Sequence, residues 1–219
     1  EVKFAAYAQC YGDVRHWLRM HPAGFVIPYP ARRVNNVYFD TWDYRAYTEN
    51  LAGVSERSKV RLRWYGDIVA PGSGVLEVKQ KRNHFGGKLR YPIAEAPWSA
   101  GATWRQIRAD MRAQLPLDGK AWLDHSPMPV MINRYSREYF ETADGRVRAT
   151  IDREQSVYDQ RYRAVPNTRR PAVMQDTLVL EIKFARADRQ FAVGLLADVP
   201  MRVGRHSKFM NGLRAIGLV

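Results

Sequence analysis

The feature that most constrains this chain is the run Arg57-Ser58-Lys59-Val60-Arg61-Leu62-Arg63-Trp64, in which every odd position is a cation. Successive side chains of a strand leave opposite faces, so one face carries Arg57, Lys59, Arg61 and Arg63. The other carries Val60, Leu62 and Trp64. A helix would scatter both sets around its circumference, whereas a strand separates them. The pattern recurs with Glu77, Lys79 and Lys81 opposite Leu76 and Val78, and with Arg146, Arg148, Thr150 and Asp152 opposite Val147, Ala149 and Ile151. Glu181 and Lys183 oppose Leu178, Leu180 and Ile182, and Glu1 and Lys3 oppose Val2 and Phe4. Tyr135, Arg137 and Tyr139 form a weaker case, because Arg134 and Glu138 make that stretch polar on both faces.

One strand of this kind is the solvated face of a sheet. Solvated faces mix Thr, Gln, Lys and Glu, with opposite charges paired across strands, and like charges directly opposite destabilise them. Five strands rich in Arg and Lys therefore make sense where a polyanion fills the space between them. They fit a mainly β, α+β chain whose antiparallel strands close into a barrel, charges inward and apolar residues outward under helices. The net charge of +13 over 219 residues points to the same partners: nucleic acid, phosphates or acidic headgroups.

Other features narrow the setting. An apolar share of 46% argues against disorder, and no run of 18 apolar residues suggests a transmembrane helix. Charges in Glu1-Val2-Lys3 stand where a secretory leader would be apolar, so cytoplasmic is the expected location. The chain opens on Glu rather than Met, which points to residues upstream of Glu1. Cys10 alone excludes an internal disulfide and a cysteine-rich zinc site. Pro71-Gly72-Ser73-Gly74, Asp118-Gly119, Asp144-Gly145 and residues 166–171 read as turns within one domain spanning 1–219. Helices are expected over 13–20 with Asp13 as N-cap, 99–115, 190–199 and 207–216.

The carboxylates carry separate information. Glu1, Glu77 and Glu181 would each repel a polyanion, and they gain a purpose if they hold Mg²⁺ or Mn²⁺ that bridges to phosphate oxygens. The plainer reading is that each neutralises a neighbouring cation.

The ordered set Val37-Tyr38-Phe39-Asp40-Thr41, Tyr47, Gly53, the 57–66 strand, Leu76-Glu77-Val78-Lys79 and Lys88 continues with Tyr135-Ser136-Arg137, 147–152, Leu180-Glu181-Ile182-Lys183 and Ser207-Lys208-Phe209. It resembles the polyphosphate polymerase domain of the vacuolar transporter chaperone (VTC) family, of the CYTH-like triphosphate tunnel metalloenzyme superfamily. The resemblance implies an eight-stranded closed tunnel and metal-dependent phosphoryl transfer, with Mn²⁺ or Mg²⁺ as cofactor. Polyphosphate synthesis from ATP is the leading reaction, and hydrolysis of triphosphate or polyphosphate is the alternative. Lys3, Arg61, Arg63, Lys79, Lys88, Arg137, Arg148 and Lys208 would then grip phosphates, with Lys59, Lys81, Arg146 and Lys183 in support. Glu181 would lead as metal ligand, followed by Glu77 and Glu1.

A non-catalytic nucleic-acid-binding barrel is the competing class. It is disfavoured because a single-strand binder interleaves aromatics among its cations, and these faces have almost none. His16, His21, His84, His125 and His206 share no ligand spacing. Gly86-Gly87-Lys88 lacks the first Gly and the Ser or Thr of a phosphate loop. Trp104, Ile107 and Met111 read as core, and Arg105, Arg108 and Arg112 as a solvated helix face. Packing is the expected role of Tyr38, Phe39 and Tyr47, with base stacking as the alternative.

Overall fold

In the computed structural model, which describes residues 1–66, 72–83, 85–95, 98–99, 101–204 and 206–218, the alternation becomes pleat. Pro71 and His84, invoked above, lie outside these residues. Eight strands form one sheet: β1 (Val2–Tyr7), β2 (Arg32–Asp40), β3 (Glu56–Tyr65), β4 (Gly74–Arg82), β5 (Phe85–Ile93), β6 (Met128–Glu141), β7 (Val147–Asp159) and β8 (Thr177–Phe184). Their order is β1-β8-β7-β6-β2-β3-β4-β5, antiparallel.

The sheet is open, which corrects the closed barrel expected from the sequence. β1 and β5 are its edges, and among the described residues no ladder joins them. Period-two patterning assigns faces to strands but says nothing about whether the first and last strands meet. Both edges also resist pairing. β5 carries Gly86, Gly87 and Pro92, and proline donates no ladder hydrogen bond. Part of β1 is occupied by irregular chain, through a Phe4–Val203 bridge and Gly204 N donating to Lys3 O at 2.9 Å.

The chain divides into two compact units. The first comprises 1–33, 135–155 and 174–207, the second 34–134, 156–173 and 208–219. In the second, Val60, Leu62, Trp64, Leu76, Val78 and Ile93 leave the sheet together. They pack on Trp104, Ile107 and Met111 of α3 (Trp104–Ala113) and on Leu123 of α4 (Leu117–His125). In the first, Phe4, Ala149, Ile151, Leu180 and Ile182 meet Val14 and Leu18 of α1 (Tyr11–Met20) and Leu195 of α5 (Arg189–Leu195). Each such aliphatic contributes about 1.5–3 kcal/mol, so the apolar faces fix the register of every strand.

Local chemistry sets the helix ends. α1 starts at Tyr11, which leaves Asp13 in the first turn rather than at the cap. α3 starts at Trp104, later than expected, because Thr103 and Gln106 form a capping box there. α2 (Arg45–Leu51) was not anticipated. It is nucleated from β2, where Asp40 Oδ1 accepts from Ala46 N at 2.8 Å and Oδ2 from Tyr47 N at 3.1 Å. Asp118-Gly119, expected as a turn, lies inside α4. A Cβ on Gly119 would sit 3.3 Å from the Tyr91 ring, and Tyr91 Oη donates to Asp118 Oδ2 at 2.6 Å. Arg108 is half-buried rather than solvated: it donates to Leu123 O and Ser126 O, the open carbonyls at the end of α4. The C-terminal α6 (Lys208–Ala215) approaches the sheet closely, and a Cβ at Gly212 would meet Met131 Sδ at 2.6 Å.

Candidate functional site

In the second unit, strand register places the polar side chains in rows. Tyr38, Arg61, Glu77 and Arg90 lie directly across β2, β3, β4 and β5. The next row holds Lys59, Lys79 and Lys88, three ammonium groups on three neighbouring strands, of which Lys88 also reaches Glu77. Beyond it Lys81 faces Arg57 and Gly86. Lys79 and Lys81 are exposed. Lys59 lies 4.9 Å from the Phe209 ring, which is itself 5.2 Å from that of Tyr38. Arg57 turns away, and its guanidinium donates to Asn50 Oδ1 and Val54 O.

Among the described residues Glu77 is the one carboxylate within this group, only 4% exposed. Arg61 Nη2 lies 2.7 Å and Arg63 Nε 3.6 Å from its Oε2, while Lys88 pairs with Oε1 and Arg90 stands 4.0 Å away. Burial pushes the carboxyl up, but Arg61, Arg63 and Lys88 outweigh it and hold it at about 2. Lys88 is pulled the other way: burial, with repulsion from Arg63 and Arg61, lowers it to about 8 despite its bond to Glu77. Tyr38 is buried and accepts from Arg61 Nη1 at 2.9 Å. Burial raises its phenol, and the charges of Arg61, Arg63 and Lys208 bring it below its ordinary value. Asn36 Oδ1 accepts from Arg63 Nε at 3.0 Å. Lys208 opens α6.

The first unit has its own cluster. Lys3, Glu181 and Thr150 lie directly across β1, β8 and β7, and Lys183 faces Arg148. Lys3 Nζ is 3.4 Å from Glu181 Oε2 and 2.9 Å from Glu1 Oε1, while Lys183 takes Glu181 Oε1. Arg137 binds Asp152, fully buried, through two bonds of 2.5 and 2.7 Å. Burial pushes Glu181 up, yet Lys3, Lys183 and Arg137 hold it well below the usual carboxylate range. Arg148 is exposed. Arg146 is committed locally, donating to Asp188 Oδ1 at 2.7 Å and lying 4.3 Å from the Phe191 ring.

The twelve cations expected from the sequence thus fall into two groups. Arg61, Arg63, Lys79, Lys88, Lys208, Lys59 and Lys81 belong to the second unit, and Lys3, Arg137, Arg148, Arg146 and Lys183 to the first. Sequence reasoning missed Asn36 and the polar role of Tyr38. Their signal was the same alternation, since Asn36, Tyr38 and Asp40 interleave with Val37 and Phe39.

Both groups are rich in donors that suit phosphate: forked guanidiniums and point-charge ammoniums. A resident divalent ion suits them poorly. Both oxygens of Glu77 and of Glu181 are engaged by cations, and among the described residues no three His, Cys, Asp or Glu side chains gather.

The sequence matches the VTC domain family over residues 2–216. No curated protein matches it. Among solved structures, the chain is similar to a candidate adenylate cyclase from Vibrio parahaemolyticus, at 9% identity over 94% of this chain and 93% of that one, TM-score 0.50. It also aligns with the PH1819 protein from Pyrococcus horikoshii OT3, at 12% identity over 95% and 96% of the two chains, TM-score 0.45. At such identity the first of these likenesses speaks to the fold alone.

Proposed function

This chain belongs to the VTC domain family, and from that membership we propose that it transfers phosphoryl groups from a triphosphate, with polyphosphate synthesis from ATP as the leading reaction. The observation that carries the reading is the Lys59–Lys79–Lys88 row beside Arg61 and Arg63. Three like charges directly opposite on adjacent strands destabilise a sheet, and a chain of phosphates turns that cost into binding.

Phosphoryl transfer asks for positioning and charge neutralisation more than for covalent chemistry. In this reading Arg61 and Arg63 take equatorial phosphate oxygens, already oriented by Tyr38 and Asn36. Lys79, Lys88 and Lys208 neutralise charge that builds on the oxygens, with Lys59 and Lys81 flanking. Lys3, Arg137, Arg148 and Lys183 offer the same chemistry in the first unit. Glu181, Glu77 and Glu1, the carboxylates expected as metal ligands, serve in this reading as counter-charges that hold Lys3, Lys183, Arg61 and Lys88 in place. A nucleic-acid-binding role is the weaker reading, since Tyr38, the aromatic side chain in these rows, is buried and presents no face for a base.

Incubation of the protein with ATP and Mn²⁺, followed by resolution of products by chain length, tests the proposal. Long polyphosphate is the expected product. Release of orthophosphate alone would make the protein a hydrolase of the same site. Neither product, together with no binding of tripolyphosphate, would remove the phosphate reading.

A further inference from the structure

Native folds seldom leave buried polar atoms without a partner, because neither protein nor solvent repays the lost hydration. Asn36 and Asn133 are fully buried, yet Asn36 Nδ2 and both amide atoms of Asn133 have no hydrogen-bond partner. Both residues belong to the second unit. Their strands, β2 and β6, are neighbours in the sheet, and Arg134 Nε donates to Asn35 Oδ1 at 2.8 Å, so the strands run side by side at this level. One step along each strand turns the side chain to the other face. Asn35 and Arg134 share the parity of Val37 and Ile132, which lie in the core. Asn36 and Asn133 therefore share the face of Tyr38, Arg61 and Arg63. The first unit repeats the pattern on its own polar face, where Thr150, directly opposite Glu181, has a buried Oγ1 without a partner.

We propose that Asn36 and Asn133 are further binding residues of the phosphate site, donating their amide N–H groups to phosphate oxygens beside Arg63. The inference rests on the phosphate reading above and adds two neutral residues to it. Neutral donors have a clear advantage at this place. A further Lys or Arg would add to repulsion already present around Arg61, Arg63 and Lys88, whereas an amide supplies N–H groups at no cost in charge. Asn36 serves twice, since its Oδ1 holds Arg63 Nε while its Nδ2 remains for the ligand. The Oδ1 of Asn133 suits the proton that a terminal phosphate retains below a second ionisation near ~6.

The test separates a binding role from a packing role. Asn133→Leu keeps the branched outline and removes the unmet amide, and Asn133→Ala and Asn36→Ala remove it without adding bulk. Tripolyphosphate affinity is measured by calorimetry at fixed ionic strength, and melting is followed without ligand. The expected result is a ligand-free melting temperature of Asn133→Leu at or above that of the wild type, with roughly tenfold or weaker tripolyphosphate binding in all three variants. Wild-type affinity in the folded variants would overturn the inference, and so would weakening no greater than the lost stability accounts for. If the wild type itself fails to bind tripolyphosphate, the phosphate reading falls and this inference with it. If the wild type binds and the variants bind equally, only this inference falls.

Discussion

Lys88 shows how one residue couples fold and ligand with opposite signs. Burial and the nearby guanidiniums lower its ammonium from the ordinary 10.5 to about 8. The folded chain therefore releases this proton earlier than the unfolded chain does. Between those two values the unfolded state binds more protons, so Lys88 makes ligand-free stability rise with pH across that window. Phosphate binding runs the other way, because the ligand needs the ammonium. Tripolyphosphate affinity is expected to fall between pH 7 and pH 9 in the wild type and to stay nearly level in Lys88→Arg, whose guanidinium does not titrate there. Titration calorimetry at the two pH values checks this, and an equal fall in both proteins would remove Lys88 from the site. The strand cations were legible in the sequence because they sit at a fixed parity, whereas Lys88 and Lys208, the latter at the start of α6, were named by the family resemblance. Their carboxylate partners were visible too, but not their state: Glu77 and Glu181 read equally well as metal ligands or as counter-charges until both oxygens of each were seen to be taken. The unmet amides of Asn36 and Asn133 were not legible at all, since alternation assigns a face and says nothing of which hydrogen bonds are made there.

At the scale of elements, six of the eight strands were legible, whereas β2, β5 and two helices were not, and Asp40 shows why for one of the helices. Strand signals are local, with each residue's face following from its neighbours. α2 depends on a carboxylate that stands outside the helix, with Asp40 Oδ1 also accepting from Thr41 N at 2.8 Å and Thr41 Oγ1 from Arg45 N at 2.8 Å. The residue before the helix, Tyr44, takes φ 56°, a left-handed conformation that the sequence does not advertise. Asp40 also belongs to the Val37–Thr41 stretch that carried the family resemblance, so its role in that stretch is structural. Asp40→Ala removes three backbone bonds from a side chain only 1% exposed. A loss of about 2 kcal/mol or more is expected in urea unfolding, with faster amide exchange at Ala46 and Tyr47 and unchanged exchange in α3. Unchanged exchange at Ala46 and Tyr47 would show that α2 is held by packing alone. The closure of the sheet was likewise beyond reach, because it depends on whether two edge strands meet and no periodicity records that.

At the scale of the whole molecule, the net charge of +13 gives a test that needs no variant. Self-repulsion lowers the stability of the ligand-free chain, so added NaCl is expected to raise its melting temperature by screening. An anion that binds only the folded state stabilises by mass action, about 2.7 kcal/mol at a hundred times its Kd. For a chain of this size that corresponds to roughly 5–10 °C in melting temperature. The same salt that stabilises the empty protein should shrink this increment, because the attraction between phosphates and exposed Lys79 and Lys81 is screened while the cations around Glu77 are shielded less. The two trends therefore converge: the ligand-free curve climbs with salt as the tripolyphosphate increment declines. Sulfate at matched ionic strength should give a smaller rise than tripolyphosphate, since one sulfate cannot reach along a row of cations on three strands spaced about 4.8 Å apart. Differential scanning fluorimetry from low salt to about 0.5 M NaCl reads both trends. Equal shifts from sulfate and tripolyphosphate would mean that the surface answers to charge alone, and the row of Lys59, Lys79 and Lys88 would lose its claim to recognise a chain of phosphates.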